Sequence, residues 1–156
     1  MPHIGYPCYI DMATILSVED FNAASALGIS PMRNLLFIDD DAVVRKLGVW
    51  AFEKIAHFKV QQASSGEMGL EQLNTYIPDV VILDVMMPGM DGPATLLKIR
   101  AKHPNLPVIF LTGQAEPSQV KMLRGLNPAG IIAKPFDHKT IGKVIHDILD
   151  ALIPRP

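Results

Sequence analysis

Residues 79–92, DVVILDVMMPGMDG, constrain this chain more than any other stretch. Val80, Val81, Ile82 and Leu83 form an unbroken apolar run of the kind found where a strand is covered on both faces of a parallel sheet. The run stops at a carboxylate, Asp84, and Pro88, Gly89 and Gly92 then exclude any continuation as strand or helix. Asp84 is therefore placed where a buried strand surfaces, which is where open α/β sheets carry their chemistry.

The same pattern recurs along the chain. Leu35 to Ile38 is a short apolar run closed by Asp39, Asp40 and Asp41. Val108 to Leu111 is closed by Thr112, and Gly130 to Ala133 by Lys134. Phe58 to Gln61 alternates instead, as expected of a strand with one less buried face at a sheet edge. Between these runs lie helical patterns. Val44, Leu47, Ala51 and Ile55 share one face after Asp41, whose side chain is placed to cap the helix. A second helix opens at Ser64 or Ser65 and carries Met68, Leu70 and Leu73. A third has Pro93 in its first turn and continues through Leu96, Leu97 and Ile99 to Lys102. A shorter fourth spans residues 117–123 and is ended by Gly125, Asn127 and Pro128. The fifth is expected to be capped by Asp137, with Ile141, Val144, Ile145, Ile148 and Leu152 on one stripe. Five strands alternating with five helices make an α/β, doubly wound, five-stranded parallel sheet with helices on both faces.

A chain of 156 residues with 49% hydrophobic residues can bury a core of this kind without staples. Its net charge of −2 provides no electrostatic case for direct nucleic-acid contact. The single cysteine, Cys8, can make no intramolecular disulfide, so a cytoplasmic, reducing location is expected. No stretch approaches the roughly 20 apolar residues of a membrane span. Residues 1–31 differ in character. They are expected to be an N-terminal extension, partly disordered or carrying one short helix with Val18, Phe21 and Ala24 on a face, dispensable for a domain spanning 32–156. Helices covering both faces account for nearly everything after Asn34, so no output domain is expected on this chain, and its output must pass to another molecule.

In a parallel sheet the strand ends meet at one rim, which brings Asp39, Asp40, Asp84, Thr112 and Lys134 together. Three clustered carboxylates resist joint ionisation unless a cation neutralises them, and all-oxygen ligands favour Mg²⁺ or Mn²⁺ over zinc. Asp84 can then be a passive ligand or a nucleophile that accepts a phosphoryl group. Lys134 and Thr112 favour the second role. An ammonium and a hydroxyl are what the charge spread over a transferring phosphoryl group requires, and a simple metal site needs neither.

FIDDD, LDVMMPGMDG, FLTG and AKPF, in this order, resemble the motif set of the response regulator receiver domain of two-component signalling, from about Asn34 to Leu152. The resemblance implies a flavodoxin-like strand order 2-1-3-4-5. It also implies Asp84 as phosphoacceptor, Asp39 and Asp40 as the acidic metal pair, a metal contact through the Met86 carbonyl, and phosphoryl contacts from Thr112 and Lys134. The partners implied are a histidine kinase or histidine phosphotransfer protein, and a downstream protein bound at the fourth helix, fifth strand and fifth helix. The domain would be a switch rather than an enzyme, catalysing only its own phosphorylation and dephosphorylation. Two alternatives stand beside this: a receiver-like adaptor that works without phosphorylation, and a magnesium-dependent phosphohydrolase, which the absence of an acid–base residue at Met86 disfavours.

Three departures from the family pattern bear on output. Ile131 stands where many receivers have a switching aromatic, Gly113 follows Thr112 where alanine is usual, and Asn127-Pro128 breaks the fourth helix. Met86 and Gln114 offer no helper for water attack, so a long-lived phosphoryl group is expected. Asp91 is expected to shape its loop, Met86, Met87 and Met90 to pack, and Trp50 to pack or make a surface contact. His3, His57, His103, His138 and His146 are expected at the surface.

Overall fold

The computed structural model describes residues 32–153, so the expectations for residues 1–31 lie outside it. The strands are β1 (Asn34–Ile38), β2 (Lys59–Ala63), β3 (Val80–Asp84), β4 (Val108–Thr112) and β5 (Gly130–Ala133). All pair in parallel, in the order β2-β1-β3-β4-β5. Between them run α1 (Ala42–Trp50), continued by a π-helical turn (Ala51–Ile55), then α2 (Gly66–Gln72), α3 (Gly92–Lys102), α4 (Pro117–Arg124) and α5 (Ile141–Leu152).

Strand residues alternate between two cores, and this explains the unbroken apolar runs. Leu36, Ile38, Val81, Leu83, Val108 and Phe110 point to one side, where they meet Leu73, Leu96, Ile99 and Leu123. Leu35, Phe37, Val80, Ile82, Ile109 and Leu111 point to the other, against Ala51, Phe52, Ile141, Ile145 and Leu149. No polar face remains in β1, β3 or β4 short of their carboxyl ends. β2 is the edge strand that its alternation predicts, with Lys59 and Gln62 exposed.

Helix starts follow the sequence closely. The Asp41 carboxylate accepts from the Val43 and Val44 amides, and Ser65 caps α2 through Met68 N–H. Asp91 does more than shape its loop: its carboxylate accepts from Ala94 N–H and caps α3, with Pro93 in the first turn. Asp137 differs from expectation. Its side chain accepts from Lys139 N–H, closing a turn over residues 138–140, and α5 starts one turn later with Thr140 at its N-cap.

On α1 and α5 the buried faces are rotated from those expected, and on α3 the fold picks a face the sequence left open. On α1, Leu47 is 45% exposed, and Gly48 faces the core because a Cβ there would lie 2.4 Å from the Phe37 ring. On α3, Leu96 and Ile99 are buried while Leu97 is exposed. On α5 the seam is Ile141, Ile145 and Leu149, with Ile148 partly buried, and Val144 and Leu152 lie outside it. In each case the periodicity is helical, but the sequence contains more apolar residues than one face can hold.

Candidate functional site

The strand order reverses between β1 and β3, so the crevice at their carboxyl ends is where an open sheet of this kind presents ligands. Asp39 follows β1 and is fully buried, while Asp84 ends β3 and is 5% exposed. The Asp40 carboxylate lies beside them on the solvent side. Lys134, just past β5, reaches across the rim: its Nζ donates to Asp39 Oδ2 at 2.7 Å and to Asp84 Oδ1 at 3.0 Å. Residues 95 and 50 positions apart in sequence are thus joined at one ammonium group.

Local geometry keeps Asp84 at the surface of its strand. Val85 N–H still pairs with the Leu111 carbonyl, after which the loop doubles back and Gly92 N–H donates to the Val85 carbonyl at 2.9 Å. Gly92 lies so close to the end of β3 that a Cβ would stand 2.4 Å from the Asp84 carbonyl oxygen. Gly89 makes the intervening bend with φ +75°, a conformation that costs glycine little.

Burial pushes the Asp84 carboxyl up to about 6; the Lys134 hydrogen bond opposes this, and Asp39 and Asp40 add to it. Burial acts on Lys134 in the opposite sense, but its bonds to Asp39 and Asp84 outweigh it and hold the ammonium above its ordinary value. At neutral pH the site therefore contains an ionised but unusually basic carboxylate against a firmly protonated lysine. A carboxylate of raised pKa is the better nucleophile of its class.

Asp39, Asp40 and Asp84 offer carboxylate oxygens that all lie within 4.8 Å of one another. Neighbouring ligands of a magnesium ion, each at 2.0–2.1 Å, stand about 2.9 Å apart. The all-oxygen set fits a hard divalent cation, which would draw the three carboxylates closer together. Met86, the expected carbonyl ligand, lies in the exposed loop two residues beyond Asp84, with its side chain directed to solvent.

Thr112 ends β4 and is 2% exposed. Its hydroxyl donates to the Gln114 carbonyl at 3.0 Å and accepts from the Gln114 amide at 3.1 Å. In this arrangement the hydroxyl hydrogen is committed to the loop after β4, so a phosphoryl oxygen would have to compete with Gln114 for it. Ile131 is half-buried against the core shared with α4. Met87 is buried and Met90 half-buried, as packing residues should be.

Two features escaped the sequence reading. His146 is not a surface residue: its ring stacks on Phe58 at 4.4 Å, Nδ1 lies 3.1 Å from Arg33 Nη1, and Nε2 lies 3.1 Å from the Ala56 carbonyl. His138, half-buried, lies against Trp50. The second is Arg45, whose guanidinium donates to the Asp39 carbonyl at 2.7 Å. A basic residue in the first turn of an amphipathic helix looks like an ordinary solvated charge, and only the fold places it under the acidic pair.

Comparison with known proteins agrees with this geometry. The family model for the response regulator receiver domain matches residues 35–146. The sensor kinase CckA of Brucella abortus is 30% identical over 138 residues, covering 86% of this chain and 14% of that protein. The DNA-binding transcriptional regulator NtrC of Klebsiella pneumoniae is 35% identical over 103 residues, covering 64% of this chain and 21% of that protein. The chain thus spans a minor part of either relative's length. Among solved structures, the chemotaxis response regulator CheY4 of Vibrio cholerae superposes with a TM-score of 0.70 at 25% identity, over 75% of this chain and 98% of that one. With strand order, rim carboxylates and family match in agreement, the chain belongs to the response regulator receiver domains of two-component signalling.

Proposed function

We propose that this receiver is a phosphoacceptor in a two-component phosphorelay, taking a phosphoryl group from a phosphohistidine on a histidine kinase or histidine phosphotransfer protein. The observation that carries the reading is the Lys134 ammonium held between the buried carboxylates of Asp39 and Asp84. A lysine is costly to bury without anions, and two carboxylates are costly to bury without a cation, so the group is poised to exchange partners when a phosphoryl group arrives.

In the transfer an Asp84 carboxylate oxygen forms the O–P bond as the P–N bond of the donor breaks. The P–N electron pair returns to the imidazole, which takes up a proton from solvent. Lys134 shifts from bridging two carboxylates to bonding a phosphoryl oxygen, and Thr112 releases the Gln114 carbonyl to donate to another. Magnesium, when bound by Asp39, Asp40, Asp84 and the Met86 carbonyl, would supply charge neutralisation for the remaining phosphoryl oxygen. The phosphorylated domain then engages its target as a switch rather than as a turnover enzyme. On this reading residues 32–156 are the signalling unit and work in the cytoplasm.

Incubation with Mg²⁺ and a small acyl-phosphate donor tests the reading. One phosphoryl equivalent should be gained per chain, and Asp84→Asn should abolish the gain. No gain would support the adaptor that works without phosphorylation; continuous hydrolysis of unrelated monoesters would support a hydrolase.

A further inference from the structure

The β1–β2 ladder ends at the Ile38–Ala63 pair, with Asp39 N–H making one further bond to the Ala63 carbonyl. The chain after Ala63 turns into α2, whose N-cap is Ser65, so the ladder offers no donor to the next carbonyl. That carbonyl belongs to Asp39, a fully buried residue, and a buried carbonyl needs a partner. Arg45 supplies it. Nη1 donates to the Asp39 oxygen at 2.7 Å and lies 3.4 Å from the Asp40 oxygen. Nε donates to Gln62 Oε1 at 3.2 Å, and the Gln62 backbone carbonyl is in turn held by Gln72 Nε2 at 2.9 Å.

These bonds fix a specific object. The peptide plane before Asp40 is pinned through the Asp39 carbonyl. The plane after it is pinned through Asp41 N–H, which donates to Asp39 Oδ1 at 2.9 Å, and through the weaker Arg45 contact. Asp40 is the one solvent-exposed carboxylate of the cluster, so packing does not orient it; its direction follows from the two planes. We infer that Arg45 is a positioning residue that aims the Asp40 carboxylate at the cation site by clamping the backbone on either side of it, with β2 as its anchor through Gln62. The inference rests on the acceptor reading above.

A charge effect and a positioning effect of Arg45 have opposite signs. As a nearby positive charge it would weaken cation binding, so its removal would tighten it. As a clamp, its removal frees Asp40 and weakens binding. Lysine keeps the charge but lacks the fork that reaches the Asp39 carbonyl and Gln62 together. The test is a Mg²⁺ titration of the full chain followed by backbone amide chemical shifts, without any phosphodonor, on the unsubstituted protein and on Arg45→Met, Arg45→Lys and Gln62→Ala. Losing a residue that orients a metal ligand typically costs 10-fold or more in affinity, so the expected Kd is about tenfold weaker in both Arg45 variants, and about threefold weaker in Gln62→Ala. Tighter binding in Arg45→Met with no change in Arg45→Lys assigns Arg45 a charge role and overturns the inference. Kd values within twofold of the unsubstituted protein in the folded variants also overturn it, and Arg45→Lys and Gln62→Ala decide if Arg45→Met does not fold. Failure of the unsubstituted protein itself to bind Mg²⁺ removes the acceptor reading and the clamp with it, whereas normal binding in every variant removes the clamp alone.

Discussion

Asp84 is held at a cost. Its folded pKa is raised to about 6 from the 3.8 of an ordinary aspartate. A group whose pKa is raised on folding contributes stability that is complete below the unfolded value and is lost as pH climbs through the folded one. Metal-free protein should therefore lose stability between about pH 4 and pH 6, by roughly 2–3 kcal/mol for a shift of this size. Asp84→Asn removes that loss. In metal-free buffer its urea midpoint should exceed that of the unsubstituted protein at pH 7.5, and the two should converge only below about pH 4. Equal midpoints at pH 7.5 would show that Lys134 already compensates the charge in full. Because protons and cation compete for the same carboxylate, Mg²⁺ affinity should fall as pH drops below about 6.

At the level of the elements, helix starts and helical period are more readable from the residues than helix orientation. Asp41, Ser65 and Pro93 act locally, through hydrogen bonds or φ restriction within one turn, so their roles are readable without knowing what lies opposite. Orientation depends on the facing surface. In α5, Ile145 is fully buried in the core against β1, β3 and β4, whereas Val144, on the same apolar stripe by sequence, is 41% exposed. Ile145→Ala should lower the unfolding free energy by about 2–4 kcal/mol, while Val144→Ala should change it by less than about 0.5 kcal/mol. Urea denaturation of the pair reads the difference directly, and comparable losses would contradict the seam described for α5.

For the whole molecule, the acceptor reading raises the question of how a charge at Asp84 would reach α4, β5 and α5. Thr112 provides a physical link, because its hydroxyl holds the Gln114 backbone in the loop that leads into α4. On the acceptor reading, a phosphoryl oxygen that captured this hydroxyl would release the loop. Ile131, half-buried against the same core as Leu123 of α4, has no ring to swing, so the loop itself would be the moving part. Thr112→Ala should still accept a phosphoryl group, more slowly, but amide shift changes in α4 and β5 on phosphorylation should shrink markedly. Full-sized changes in the variant would place the signal path elsewhere.

The sequence alone determined the covered strands β1, β3 and β4 and the polar residues that follow them and β5, because a strand covered on both faces permits nothing but apolar side chains until it ends. It thereby named Asp39, Asp40, Asp84, Thr112 and Lys134 as a group that must meet. How they meet comes from the fold: Lys134 bridges Asp39 and Asp84, Thr112 is bonded to Gln114, and Arg45 donates to the Asp39 carbonyl and reaches the Asp40 carbonyl. The same holds for His146, a scattered histidine in sequence and a stacked, bonded one in the fold. Burial periodicity is written along the chain and can be read there, whereas a hydrogen bond across 50 or 95 residues is fixed only once the sheet sets which strand ends are neighbours.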